Sequence, residues 1–242
     1  MGSLPAGLRH GIQRWRRLRR RPRWGNLRRF EPFSQSYGIE RGRPVDRIYI
    51  EQFLAAHADD IRGAVLEIKD AAYTRAFGGS RIVSSDVLDL DRDNPEATLF
   101  ADLGSPGSLP QERFDCVICT QTLHLIPRLD TALGNLWNSL RAGGVLLLTV
   151  PTVTRIESSY EHADDLWRFT PVGLSWLLQT HLPDGDTATS GRGNLLATIS
   201  YLLGLAAEDL CFEDLSHDDP AFPLIAAARV VRPVDNDGAS TS

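Results

Sequence analysis

Acidic side chains recur where successive apolar runs end, and their types and spacing suit the binding of a nucleoside. Glu67 stands in AVLEI (64–68), which leads into Ile68-Lys69-Asp70. Asp86, nineteen residues after Glu67, closes RIVSSD (81–86), with Val87 beside it. Asp102 follows ATLFA (97–101), and Thr120-Gln121 lie where FDCVICT (114–120) gives way to a loop. A carboxylate about 20 residues past the first strand-end turn is the spacing that grips ribose hydroxyls in dinucleotide-binding sheets. Three acids at one edge suit a ligand that presents hydroxyls and an amino group, and suit a pyrophosphate poorly. No GxGxxG stands near the first turn, which argues against a nicotinamide cofactor, whose diphosphate needs close backbone approach. Acids at strand ends also cap helices, so the ordered set carries more weight than any one member.

Proton-transfer chemistry has three candidates. His124, in TQTLHLI, falls just after the fourth strand end, a place that equally suits a histidine making a structural hydrogen bond. Tyr160 and His162 lie between the fifth strand and WRFT (167–170), a stretch expected to border an acceptor pocket. Within it Trp167 and Arg168 are candidate substrate contacts, Arg168 either binding an acidic group or stapling this segment to the body. Arg47 and Tyr49, on the first helix, would close over cofactor or substrate, or else pack and pair as ordinary helix residues. Cys116 and Cys119 form a CxxC, but strand side chains alternate faces, so residues three apart point to opposite sides and read as core. No metal site is expected.

The elements that must position these groups follow from hydrophobic period. Val45, Ile48, Tyr49, Phe53 and Ala56 mark one helix face. Short apolar runs at 64–68, 81–86, 97–101, 114–120 and 144–151 read as strands. Leu129, Leu133, Leu136, Trp137 and Leu140 trace a helix expected to stop at Gly143-Gly144. A further helix is expected over about 194–210, with Asn194 as its cap, and a last strand within 222–231. Strands alternating with helices imply an α/β, doubly wound, mostly parallel sheet that binds ligands at its carboxyl edge.

Composition bounds the setting. The 242 residues are 42% hydrophobic and 24% charged, enough for one domain with a sizeable core. Lys69 is the one lysine, and ten arginines with no acid fall within residues 1–30. The net charge of −5 therefore divides into about +10 for a basic, flexible arm (1–30) and about −15 for the remainder. An acidic body (31–233) disfavours nucleic acid as substrate. The arm, with Ile12, Trp15 and Leu18 among its arginines, suits an anionic membrane surface or an acidic partner, or simple solvation. No run approaches a membrane span or the apolar stretch of a secretory signal, so a cytoplasmic protein is expected, ending in a polar tail (234–242).

The chain also resembles class I S-adenosylmethionine-dependent methyltransferases, of the small-molecule kind often associated with glycosyltransferases and polysaccharide or secondary-metabolite modification. The resemblance spans about residues 30–233 and rests on PFSQSYGIERGRPVDRIYIEQFL (32–54), VLEIKDAAYTRAFGG (65–79), ATLFADL, FDCVICTQTLHLI, LRAGGVLLLTVP and DLWRFTP (165–171). It implies a Rossmann-like seven-stranded sheet with the last strand antiparallel, S-adenosylmethionine as cofactor, and methyl transfer to a small molecule such as a sugar or natural product, at oxygen. By the same resemblance Glu67 belongs to the first cofactor motif, Asp86 holds the ribose, Asp102 takes the adenine amino group with Leu103 beside the ring, and Thr120 and Gln121 line the methionine side. Nucleic-acid amino methyltransferases resemble one another in an Asn/Asp-Pro-Pro-aromatic turn, where this chain reads Thr120-Gln121-Thr122-Leu123. Lys69 departs from the family, which has glycine there; its ammonium would repel the sulfonium, pair with the cofactor carboxylate, or point outward. A degenerate binding or scaffold protein, or a non-methylating use of the sulfonium, are the alternatives this departure leaves open.

Overall fold

The computed structural model describes residues 25–157 and 165–234. Tyr160, His162, most of the basic arm and nearly all of the polar tail lie outside the described residues. The chain divides after Pro32. The smaller unit is described over residues 25–32 alone, where Gly25–Leu27 form one 3-10 turn.

The larger unit is built on a seven-stranded sheet in the order β3-β2-β1-β4-β5-β7-β6. Its strands are β1 (Gly63–Ile68), β2 (Ile82–Asp89), β3 (Leu99–Phe100), β4 (Phe114–Thr120), β5 (Leu140–Pro151), β6 (Asp186–Arg192) and β7 (Ile225–Val231). The first five pair in parallel, and β7 runs antiparallel to both β5 and β6. The Rossmann-like sheet with an antiparallel last strand is therefore present.

Alternation along the strands divides the core into two layers. Leu66, Val117, Cys119, Leu146 and Leu148 face one way, onto α2 (Leu129–Ser139) and α3 (Pro171–His181). Val65, Cys116, Ile118, Val145 and Leu147 face the other way, onto α1 (Val45–Ala56) and α4 (Leu195–Leu202). Burying each of these aliphatic side chains is worth about 1.5–3 kcal/mol, which fixes the register. Cys116 and Cys119 consequently sit in opposite layers. A short helix, α5 (Phe212–Ser216), precedes β7.

Several boundaries differ from the sequence expectation, each for a local reason. β2 does not stop at Asp86 but runs to Asp89, because Val87 and Leu88 pair with Glu67 and Ile68. β3 is confined to two residues at the sheet's margin. α2 ends at Ser139, and Leu140, expected as its last apolar position, instead opens β5 opposite Phe114. The helix expected over 194–210 stops at Leu202, because Gly204 takes φ +69° and its backbone lies against Ser34, where a Cβ would come within 2.3 Å of a carbonyl oxygen. β6, Asp-Thr-Ala-Thr-Ser-Gly-Arg, is an edge strand with no apolar face, so hydrophobic period gave no sign of it. Among the described residues no helix is long and apolar enough to cross a membrane.

Candidate active site at the carboxyl edge

The turn after β1 is organised from below by Glu67. Its carboxylate, 2% exposed, accepts hydrogen bonds from the backbone N–H groups of Tyr73 (3.0 Å) and Thr74 (2.7 Å). Burial pushes its pKa up against these bonds. Glu67 therefore fixes the backbone of the 69–73 loop and caps the π-helical turn Thr74–Gly78. Lys69, two residues further on, takes φ +79°, a left-handed conformation that glycine adopts without steric cost.

β2 brings an unexpected acid to this loop. The Lys69 N–H donates to the Leu88 carbonyl (2.8 Å), so Asp89 is the residue that emerges beside the turn. Asn94 ties the two together, its Nδ2 donating to the Lys69 carbonyl (2.6 Å) and to Asp89 Oδ2 (2.6 Å). Asp86 is three residues lower, paired in register with Leu66. Its carboxylate is taken by Arg113 (2.7 Å) and the Thr98 hydroxyl (2.8 Å), and the same hydroxyl accepts from the N–H of buried Val87 (3.0 Å). The acid at the end of β2, beside the turn at Lys69, is thus Asp89 rather than Asp86. The alternation of VSSDVLDL past Asp86 was the signal that would have found it.

The third acid, Asp102, is exposed and shapes its own turn, accepting from the Gly104 N–H (2.7 Å) and the Ser105 hydroxyl (2.9 Å). Leu103 is not at the surface of a ligand cleft; its side chain is 5% exposed and packs in the core. Asn135 of α2 holds this loop by donating to the carbonyls of Leu103 and Ser105, both at 2.8 Å, and accepting from the Gly107 N–H (2.9 Å). At the end of β4, Thr120 pairs with Thr149, and Gln121 takes φ +45° with its N–H on the Thr149 carbonyl (2.8 Å).

On the acceptor side, the segment Asp165–Thr170 is pinned to the turn after β4. The N–H groups of Leu166 and Trp167 donate to the His124 carbonyl, and the Trp167 indole donates to the Ile126 carbonyl (3.0 Å). His124 itself is 8% exposed, with Nδ1 unpartnered, and burial lowers its pKa to about 4. It is neutral at ordinary pH and a weak base. Arg168 makes a bidentate pair with Asp165, whose carboxylate is 1% exposed, and donates to the Arg155 carbonyl (3.0 Å). Asp165 also accepts from the Glu157 N–H (2.9 Å).

Beside this clamp lies an aromatic and charged cluster that sequence reasoning did not single out. Tyr37 stacks on Tyr201 with centroids 5.7 Å apart, and the Arg155 guanidinium sits 4.3 Å above the Tyr37 ring. Glu157 accepts from the Tyr37 hydroxyl (2.8 Å) and from Arg155 (2.6 Å), and Tyr201 meets the Thr154 hydroxyl (3.2 Å). Of the two α1 candidates, Arg47 is exposed and lies over the Tyr73 ring (5.9 Å), against the loop after β1. Tyr49 is corrected: it is fully buried in the core beneath, its hydroxyl without a partner, and belongs to packing.

A mostly parallel sheet with acids at the carboxyl ends of β1 and β2, and an antiparallel strand completing it, is a Rossmann-like arrangement. Residues 82–148 match the family model described as a methyltransferase domain. Among solved structures, the chain is similar to an S-adenosylmethionine-dependent methyltransferase from Archaeoglobus fulgidus (16% identity, 77% of this chain and 94% of that one, TM-score 0.50). It is also similar to 1,6-didemethyltoxoflavin-N1-methyltransferase from Burkholderia thailandensis, solved with 1,6-didemethyltoxoflavin and S-adenosylhomocysteine (16%, 97% and 93%, TM-score 0.51). A third is DhpI in complex with S-adenosylhomocysteine (17%, 79% and 86%, TM-score 0.50). A comparison with curated proteins returns no match. The match over 82–148 is to a methyltransferase domain, and the fold is one that this chain shares with S-adenosylmethionine-dependent methyltransferases.

Proposed function

We propose that the chain transfers the methyl group of S-adenosylmethionine to a hydroxyl oxygen of a small polyhydroxylated molecule, a sugar or a sugar-bearing natural product. The observation that carries the cofactor half is Asp89, which emerges beside the left-handed turn at Lys69 and is locked to it through Asn94. In this reading Asp89 holds the ribose hydroxyls, Asp102 the adenine amino group, and the 69–73 loop and Gln121 flank the methionine portion. Glu67 acts from beneath as the loop's anchor. The acceptor half rests on the Tyr37–Tyr201 stack with Arg155, Glu157 and the Asp165–Arg168 clamp around it. Aromatic faces bordered by carboxylate and guanidinium groups suit a ring that presents C–H on one face and hydroxyls at its edge.

Methyl transfer is an in-line displacement on a carbon already activated by the sulfonium. The protein's main contribution is alignment, worth up to about 7–11 kcal/mol. Calorimetric titration of S-adenosylmethionine and S-adenosylhomocysteine into the full chain, beside Asp89→Ala, tests the reading. Micromolar-range binding (order of magnitude) that Asp89→Ala weakens at least about tenfold is expected. No binding of either ligand to the folded protein would sink it.

A further inference from the structure

The proposed reaction needs a group to receive the hydroxyl proton, and the three candidates named from sequence leave the role unfilled among the described residues. His124 is buried and weakly basic, and Tyr160 and His162 lie outside those residues. One carboxylate stands between the cofactor loop and the acceptor cluster with no ion pair among the described residues. It is Asp46, in the first turn of α1.

Its placement follows from the fold. α1 ends near Asp60, whose carboxylate holds Arg229 of β7, and its first turn lies at the opposite, carboxyl edge of the sheet. There Pro44 bridges Ala206, just after α4, while Arg47 reaches over Tyr73 in the loop after β1. Asp46 therefore lies on the turn that Arg47 anchors to that loop and Pro44 to the residue after α4, and Tyr201 of α4 stacks on Tyr37 and touches Thr154 after β5. Its carboxylate acts electrostatically on both Tyr73 and Tyr201. The hydrogen bond it accepts comes from the Arg47 N–H (2.9 Å), and the neighbouring cation Arg43 is committed to Glu51 (2.9 Å).

We propose that Asp46 is the catalytic base of this site, facing both the sulfonium and the acceptor hydroxyl. The inference rests on the methyltransferase reading above. As the methyl carbon–sulfur bond breaks and the carbon–oxygen bond forms, the hydroxyl proton passes to the Asp46 carboxylate. The sulfonium becomes a neutral thioether, and the protonated acid later releases its proton to water. The groups around Asp46 are Arg47 on its own helix, Tyr73 with Glu51 and Glu67 behind it, and Tyr201 with Tyr37 and Arg155 behind it. Burial raises the Asp46 carboxyl to about 6, and Arg47 pulls it only partly back. The group is thus ionised at neutral pH yet basic enough to accept a proton, the match that general-base catalysis favours.

The test compares the affinities of S-adenosylmethionine and S-adenosylhomocysteine for the full chain. The two ligands share adenosine, amino and carboxylate groups, so their ratio isolates the sulfonium. In the native protein the preference for the sulfonium ligand should rise roughly tenfold between about pH 5 and about pH 8 as Asp46 ionises. Asp46→Asn should abolish that rise and leave S-adenosylhomocysteine affinity unchanged, while Asp46→Glu should keep part of it. A pH-dependent preference that survives in Asp46→Asn would overturn the proposal, as would equal weakening of both ligands. Native protein that binds neither ligand would instead defeat the methyltransferase reading itself. With D-glucose, D-mannose and D-galacturonate as probe acceptors, Asp46→Asn should slow transfer about 10²–10⁴-fold without raising KM. Transfer at the native rate would remove the base role, and if none of these sugars is methylated the affinity ratio decides.

Discussion

Lys69 holds φ +79° where a side chain costs about 1–2 kcal/mol relative to right-handed backbone. Lys69→Gly should therefore stabilise the fold by up to about 1 kcal/mol, after allowing for the greater freedom of unfolded glycine. Urea denaturation measures this directly, and a loss of stability would show that the lysine side chain itself holds the turn. Asp86 and Asp89 separate two roles that three residues of sequence cannot. Asp89→Ala should weaken cofactor binding at least about tenfold and leave stability within about 0.5 kcal/mol. Asp86→Ala, which strips Arg113 and Thr98 of a shared partner, should cost about 1–2 kcal/mol and leave a protein that still binds the cofactor. Calorimetry on the pair, with melting curves, distinguishes the assignments; equal loss of binding in both variants would contradict them. The residue types needed at the edge were legible in the sequence. Which acid reaches the edge was not, because that depends on how far β2 continues to pair with β1.

Individual elements were read with uneven success, and the pattern is physical. β4 and α1 match the expected spans to the residue because each alternates or repeats cleanly between covering layers. α4 was overextended because the apolar spacing persists through Leu210, while the backbone turns at Gly204 to let Ser34 pass. β6 was invisible because its polar edge sequence carries no period. The Asp165–Arg168 clamp was also beyond sequence reading: a pair three residues apart acquires its role by reaching Arg155 and the Glu157 N–H. Asp165→Ala should destabilise the protein by about 1–3 kcal/mol, since Arg168 retains partial access to water while the Glu157 N–H loses its acceptor. Thermal melting beside the native protein measures this, and an unchanged midpoint would show that the clamp carries no stability. Glu67→Ala, which orphans two N–H groups of the cofactor loop, should cost about 2–3 kcal/mol and weaken cofactor binding together with stability.

For the molecule as a whole, buried His124 and half-buried Asp46 pull its pH dependence in opposite directions. His124 is lowered from 6.5 to about 4, so the unfolded chain takes up a proton that the folded one refuses. Stability from this group is lost as pH falls from about 6.5 to about 4, by roughly 3 kcal/mol. Asp46 is raised from 3.8 to about 6, so the folded chain protonates first and gains stability as pH falls through the same range. The native protein should therefore show a nearly flat stability between about pH 4.5 and about pH 6.5 from these two groups. Asp46→Asn should be more stable than native at neutral pH by about 1–2 kcal/mol and then fall steeply with acid; His124→Gln should do the reverse. Urea unfolding across that range checks both slopes, and parallel curves for all three proteins would refute the opposition.

The sequence by itself indicated β1 to β5, β7, α1 and α2, and the carboxyl edge as the place to look for chemistry, because hydrophobic period and strand-end acids are local signals. Through its resemblance it also indicated the antiparallel last strand and the sulfonium cofactor. Tertiary structure alone decided that Asp89, rather than Asp86, emerges beside the turn at Lys69, that Tyr49 and Leu103 belong to the core, and that Tyr37 stacks on Tyr201. Those outcomes depend on register between strands and on residues more than 100 positions apart coming together. No local pattern in the chain encodes such distances.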